Sequence, residues 1–333
     1  MSALHALMEG IIDYAGLFPP ARLSLGETVR EYARHLAGPQ AWLLGRLVCP
    51  TAKFPELDEF KAEIIAPSAR KNPWRISALG RGGKDVESFV SGLVEDARAM
   101  RELADRFDRR VIADAIETRL PDALLTGDDD SALVDVVRGA VEAMRSAPNK
   151  VSIFLEVPFA GDWARNVERA VRAVASVRDS IPTGDRAGMI GLKIRTGGVT
   201  ADLIPSVEQV ATFIAACVAN DVPFKATAGL HHPIRHHSNE IGAKMHGFLN
   251  VFSAAVLARV DALPARTLID ILQDEDVGHF RFDDHGLGWG DRSVTVEQVR
   301  AARRESAISF GSCSVTEPVE DLTSLGLLTE RSV

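Results

Sequence analysis

Cysteine is scarce in this chain of 333 residues: Cys49, Cys217 and Cys313 are the full set, and no Cys-x-x-Cys spacing occurs. A set that is odd in number and widely spread is too sparse for a disulfide framework or a cysteine-ligated zinc site. Aromatic residues make up only 6% of the sequence. No run of about 18 apolar residues is present, so no helical membrane span is expected. The segment from Met1 to Ile12 lacks a basic n-region and a long apolar h-region, which makes the cytoplasm the expected compartment. Excess positive charge is missing too. A formal net charge of −8 argues against broad binding to nucleic acid or anionic membranes. There is no low-complexity tract and no linker rich in Pro or Gly.

What is present is ordinary for a globular protein, with 46% hydrophobic and 25% charged residues. That balance excludes disorder, collagen and coiled coil. A chain of this length buries most of its apolar surface and needs no metal or disulfide to fold. Short apolar runs alternate with longer amphipathic segments throughout. The runs Ile11–Ala15, Trp42–Cys49, Trp74–Leu79, Arg110–Glu117, Lys150–Val157, Met189–Arg195, Pro223–Ala228 and Phe280–Asp283 predict eight strands. Helices are expected over Leu25–Leu36, Leu57–Ile65, Val86–Phe107, Ala132–Ser146, Ala164–Ser180, Val207–Ala219 and Thr295–Ser306.

Strands separated by helices pair in parallel, because each crossover needs a dozen or more residues. Eight such units favour an α/β fold of the (β/α)8 TIM barrel type over an open doubly wound sheet. No Gly-x-Gly-x-x-Gly follows the first strand, which removes the main sign of a dinucleotide site. Two extra helices, Ile241–Val260 and Ala265–Gln273, are expected between strands seven and eight. The expected organisation is a barrel domain over residues 1–310 and a C-terminal tail, 311–333, packed on it.

Active sites of such barrels lie at the C-terminal ends of the strands. Strands buried on both faces should be almost wholly apolar, so charges inside them are the informative departures. They include Asp13, Asp114, Glu117, Glu156, Lys193, Arg195, Lys225, Arg281 and Asp283, with Thr227 and His285 alongside. Lys193 and Lys225 are one βαβ unit apart, so they fall on adjacent strands at similar height. Each ammonium there would depress the pKa of the other and desolvation would add to the effect. A lysine so lowered carries the free amine that carbonyl attack requires. The alternative is that both lysines form structural ion pairs with Glu117, Glu156 or Asp283.

Lys193-Ile194-Arg195-Thr196-Gly197 resembles the Lys-Thr-x-Thr-Gly strand of the deoxyribose-phosphate aldolases. Phe224-Lys225-Ala226-Thr227-Ala228-Gly229 is similar to their Phe-Lys-x-x-Gly-Gly strand. Ser152-Ile153-Phe154-Leu155-Glu156-Val157 and Phe280-Arg281-Phe282 resemble the preceding and final strands. The resemblance implies a class I aldolase barrel in which Lys193 forms the Schiff base and Lys225 assists proton transfer. The family's proton-relay aspartate maps to Asp114, or its role passes to Glu117. The phosphate-binding loops differ. One is Ala228-Gly229-Leu230-His231-His232 here, and the Gly-x-Ser-Ser loop after the last strand is matched to Asp283-Asp284-His285-Gly286, whose acidic pair would repel phosphate.

The expected activity is therefore an aldolase-like carbon–carbon lyase acting on a small carbonyl, sugar-like or acidic substrate. Glu156, Glu117 or Asp114 would be the general acid or base. Arg195, Thr196, Gly197, Gly198, Thr227, His231, His232, Arg281, Asp283 and Asp13 would contact the substrate. No cofactor is implied. Four of the nine histidines fall within His231-His232-Pro233-Ile234-Arg235-His236-His237, which supports a second reading. There a divalent metal such as zinc is held by His231, His232, His285, Glu156 and Asp283 in a metal-dependent lyase or hydrolase. The partner is a small-molecule substrate, and self-association into a homo-oligomer is left open.

Overall fold

The structure is a computed structural model that describes residues 2–65, 73–181 and 188–328. Eight parallel strands close into a barrel. They are Ile12–Tyr14, Leu44–Pro50, Trp74–Leu79, Val111–Arg119, Ser152–Glu156, Ile190–Arg195, Phe224–Thr227 and Ala307–Ser312. Each pairs with its neighbours in sequence, and the last closes on the first through Ile12↔Phe310 and Asp13↔Gly311. The barrel strands are buried on both faces because helices cover the outside. Leu47, Cys49, Ile76, Ala78, Phe154 and Phe310 are fully enclosed.

Most of the connecting helices begin where the sequence gives a start signal. Ser24 with Glu27, Asp85 with Ser88, Ser206 with Gln209, and Thr295 with Gln298 form reciprocal capping boxes. They open helices Leu25–Ala37, Val86–Arg106, Val207–Ala219 and Val296–Glu305. The stretch expected as a helix over Leu57–Ile65 is instead a 3-10 segment, Thr51–Phe60, followed by one α-turn, Lys61–Ile64. Pro55, inside the 3-10 segment, lacks the N–H that an α-helix interior uses.

The crossover between the seventh and eighth strands is long, and it corrects the expected position of the eighth strand. Phe280–Phe282 is the edge of a three-stranded antiparallel sheet with Gly286–Trp289 and Arg292–Thr295. Its Phe-Arg-Phe alternation, with Phe280 buried and Arg281 exposed, is the period-two pattern of a strand with one wet face. The true eighth strand, Ala307-Ile308-Ser309-Phe310-Gly311-Ser312, is almost wholly buried. Its serines and glycine disguise it in the sequence. The expected boundary between residues 310 and 311 therefore cuts this strand. Helix Thr316–Ser324 follows it, and residues 329–333 of the expected tail lie outside the described residues. Both extra helices are present, as Phe248–Asp261 and Ala265–Gln273, but the first starts later than expected. Met245 lies in the hairpin His236–Ser238/Ala243–Met245, and Ile241 lies in its turn.

Arg303 secures the seam between the first and last strands. Its buried guanidinium donates to the carbonyls of Leu7 (2.6 Å), Glu9, Ala307 and Ile308. Its carbon centre sits 5.5 Å from the Phe252 ring centroid. Burial pulls its pKa down to about 10, so the charge persists at neutral pH. Replacing it with methionine keeps the volume and orphans these carbonyls. Arg303→Met should lose about 2–4 kcal/mol in urea unfolding; an unchanged midpoint would contradict this role.

Candidate active site

Parallel register sets the site. Lys193 on the sixth strand pairs with Glu156 on the fifth and Lys225 on the seventh. Glu117, on the fourth strand, reaches across the interior to both lysines. Lys193 Nζ donates to Glu117 Oε2 at 3.1 Å and lies 2.9 Å from Glu156 Oε2. Lys225 Nζ meets the other oxygen of Glu117, and also Asp13 Oδ2 at 2.5 Å and Ser77 Oγ at 3.2 Å. Ser77 Oγ donates to Glu117 Oε1 at 2.6 Å, and Ser309 Oγ donates to Asp13 Oδ2 at 2.7 Å. Lys225 is fully buried and packs 5.4 Å from the Phe154 ring centroid.

These contacts reverse the expected titration of Lys193. Burial acts to lower its pKa, but Glu117 and Glu156 outweigh burial and hold it above the ordinary lysine value. The sequence expectation of mutual depression counted the two ammoniums and not the carboxylates between and beside them. Glu117 itself is pushed up by burial and pulled down more strongly by Lys225 and Lys193, with help from Ser77. It ends well below the usual carboxylate range. In the ligand-free protein the site is a chain of charges in contact, Glu156, Lys193, Glu117, Lys225 and Asp13.

A cavity of about 500 Å³ opens above this chain at the C-terminal ends of the strands. Lys193, Glu117 and Glu156 form part of its lining, and Lys225 does not. The two lysines are thus distinguished by access. Arg195, two residues beyond Lys193, lies on the wall with Gly198, Thr227, His231 and His232. Thr196 lies behind the wall, its hydroxyl donating to the carbonyl of Ala228 at 2.6 Å. The loops after strands six and seven meet backbone to backbone: a Cβ on Gly229 would lie 2.8 Å from the Gly197 Cα, and Gly229 has φ +76°. Only glycine suits both demands there.

The histidine loop is tied down by the C-terminal helix. His231 Nδ1 is 3.1 Å from Glu317 Oε2 and 3.9 Å from the Cys313 sulfur, while His232 Nδ1 is 2.5 Å from Asp321 Oδ2. Burial disfavours the charge on His231, but Cys313 and Glu317 outweigh it and lift the pKa to about 9.

Other expected residues lie elsewhere. Asp114 takes Arg46 at 2.7 Å and Arg75 at 2.5 Å and contacts neither lysine. Asp13 is sealed beneath the cavity as the partner of Lys225. Arg281 is on the antiparallel sheet and Asp283 and His285 are in the turn between its first two strands, and none of the three lines the cavity. Asp283 accepts the N–H groups of His285 and Gly286 as a turn. The five residues of the expected metal set therefore do not converge, and no cluster of three such donors occurs among the described residues. With the eighth strand reassigned, the loop that follows it begins at Cys313-Ser314, so the Asp283-Asp284 pair does not stand in that place. Ser77, Ser309, Glu317 and Asp321 escaped the sequence reading. Ser77 alone had a signal, a hydroxyl inside the apolar run Ile76-Ser77-Ala78-Leu79.

No family model matches the sequence, and no curated protein does. Solved structures do match. A deoxyribose phosphate aldolase from Aeropyrum pernix, described as tetrameric, aligns at 14% identity and a TM-score of 0.50, covering 97% of each chain. A protein of Toxoplasma gondii ME49 assigned to the deoxyribose-phosphate aldolases aligns at 11% identity and a TM-score of 0.50, covering 99% of this chain and 97% of that one. The likeness is one of fold.

The charge chain sets a pH dependence. The ordinary value for an unfolded glutamate is 4.5, and Glu117 in the folded protein lies well below it. The stability that Glu117 contributes is complete above that value and is lost as pH falls below it. Glu117→Gln should cost about 3–5 kcal/mol at pH 7, by leaving buried ammoniums undercompensated. It should also flatten the loss of stability below about pH 5. Urea midpoints measured across pH check both; an acid slope equal to the parent's contradicts the assignment.

Proposed function

We propose that this chain is an aldolase-like carbon–carbon lyase in which Lys193 forms a Schiff base with a small carbonyl substrate. One observation carries the reading. Lys193 is the lysine that faces the cavity, and it touches Glu156, a carboxylate in the same lining that can take its proton. The fold shared with deoxyribose-phosphate aldolases supports it at the level of architecture.

Lys193 rests as an ammonium and must first give up a proton. Glu117 is a poor acceptor, being held low by two lysines. Glu156 contacts Lys193 alone of the two and lines the cavity, so it is the base. The freed amine attacks the carbonyl carbon, forming a C–N bond and moving the carbonyl π pair to oxygen. That oxygen takes one proton from Glu156 and a second that the carbinolamine nitrogen gives up through the same carboxylate, and it leaves as water, giving the iminium. Glu156, again a carboxylate, takes the proton of the substrate's β-hydroxyl, whose oxygen becomes the carbonyl of the released aldehyde as the neighbouring C–C bond breaks and delivers its electron pair to the iminium as an enamine. Protonation of the enamine carbon and hydrolysis free the second product and restore Lys193. Lys225 keeps Glu117 ionised, and Glu117 stabilises the iminium charge. Arg195 and protonated His231 face the polar end of the substrate from the wall.

Borohydride reduces an iminium to a stable secondary amine, so incubation with aldehydes, ketones and keto acids followed by reduction and peptide mass analysis tests the chemistry. The adduct should fall on the Lys193 peptide and vanish in Lys193→Arg, which keeps the charge without an attacking amine. Lys225→Met removes a neighbouring positive charge, which raises the Lys193 pKa further, so trapping should slow and its pH optimum should move alkaline. Adduct formation that survives Lys193→Arg on an active substrate overturns the assignment.

A further inference from the structure

The walls of the cavity above Lys193 are apolar in a way that the Schiff-base chemistry does not require. Phe18, Pro19 and Pro20 enter from the loop after the first strand, Val199 and Leu203 from the loop after the sixth, and Ile241 from the hairpin after the seventh. Among the described residues, large hydrophobic side chains are strongly exposed at five positions, and two of those, Val199 (51%) and Leu203 (46%), are on this rim. Apolar side chains gathered around a cavity mouth and left in water mark a ligand site. The charged groups tell the same story. His231 is matched by Glu317 and His232 by Asp321, which leaves Arg195 as the wall cation without an ion-pair partner among the described residues. Glu240 also lines the cavity. The N–H groups of Ser314 and Glu317, in and after the loop that follows the eighth strand, are already taken by Ser312 Oγ (3.3 Å) and Ser314 Oγ (3.1 Å). A dianionic phosphate would therefore meet, on the wall, one free guanidinium, the carboxylate of Glu240 and an apolar collar.

We infer that the substrate is an unphosphorylated aldehyde or ketone bearing an apolar chain, whose chain lies against Leu203, Ile241 and Phe18 while its carbonyl reaches Lys193. This rests on the proposed carbonyl chemistry for the position of the reacting end, but the apolar subsite can be measured without it. Each methylene that leaves water contributes about fourfold in affinity. The unreactive alcohols propan-1-ol and hexan-1-ol differ by such groups only, and glycerol 3-phosphate supplies the phosphorylated arm.

Calorimetric titration of the full chain should show hexan-1-ol binding at least about tenfold tighter than propan-1-ol, with some methylenes only partly covered. Glycerol 3-phosphate should bind more weakly than hexan-1-ol. Leu203→Asp changes a residue already half in water, so it should leave thermal unfolding unchanged while cutting hexan-1-ol affinity about tenfold. Tighter binding of glycerol 3-phosphate, or no preference for hexan-1-ol over propan-1-ol, overturns the inference. Borohydride trapping with hexanal and acetaldehyde separates the two proposals. A hexan-1-ol preference without any Lys193 adduct keeps the apolar subsite and removes the Schiff base. Equal trapping of both aldehydes at Lys193 with no alcohol preference keeps the Schiff base and removes the apolar substrate.

Discussion

Glu117 lies between two ammonium groups that could not otherwise be buried side by side. Like charges at one level of a closed barrel repel, and each would cost several kcal/mol to desolvate alone. Glu117 gives one carboxylate oxygen to each lysine, and Ser77 donates to it as well. Asp13 and Glu156 then complete the two ends. The site depends on this shared carboxylate in two ways. It makes burial of the pair tolerable, and it separates their surroundings, leaving Lys193 open to the cavity and Lys225 enclosed.

The barrel makes that arrangement reproducible. The pairings Glu156↔Lys193 and Lys193↔Lys225 are set by main-chain register, so the groups cannot drift along the strands without breaking ladders. Arg303 holds the closing seam that brings Asp13 and Ser309 beneath Lys225. The loops carry the histidine segment, which leans on the C-terminal helix, and the apolar rim that surrounds the opening. Charges on the strands and cavity walls built by the loops are the usual division of parts in this architecture.

Much of this was legible from residue order. Two lysines one βαβ unit apart must be neighbours at one height if the strands are parallel, and Glu156 follows from the same spacing. The sign of the Lys193 shift was not legible, because Glu117 lies 76 residues away and only closure of the barrel brings it across. The eighth strand is hidden in the sequence for a different reason. Phe280-Arg281-Phe282 shows the pattern of a strand that faces water, whereas Ala307–Ser312 hides a barrel strand behind serine and glycine. That misplacement carried Arg281, Asp283 and His285 into the expected site and concealed Ser309. Cys313 and the helix that holds His231 and His232 likewise fall in the stretch whose sequence marks it only as a tail packed on the barrel.

The most direct test of the shared carboxylate is the protonation of Lys193 itself, followed through the nitrogen-15 shift of its side chain in lysine-labelled protein. In the ligand-free chain Lys193 should remain an ammonium up to and beyond pH 10.5, the ordinary lysine value. Glu117→Gln should bring its titration to lower pH, because burial then acts against one fewer negative charge. A free amine at neutral pH in the unsubstituted protein, or a titration unmoved by Glu117→Gln, would contradict the account.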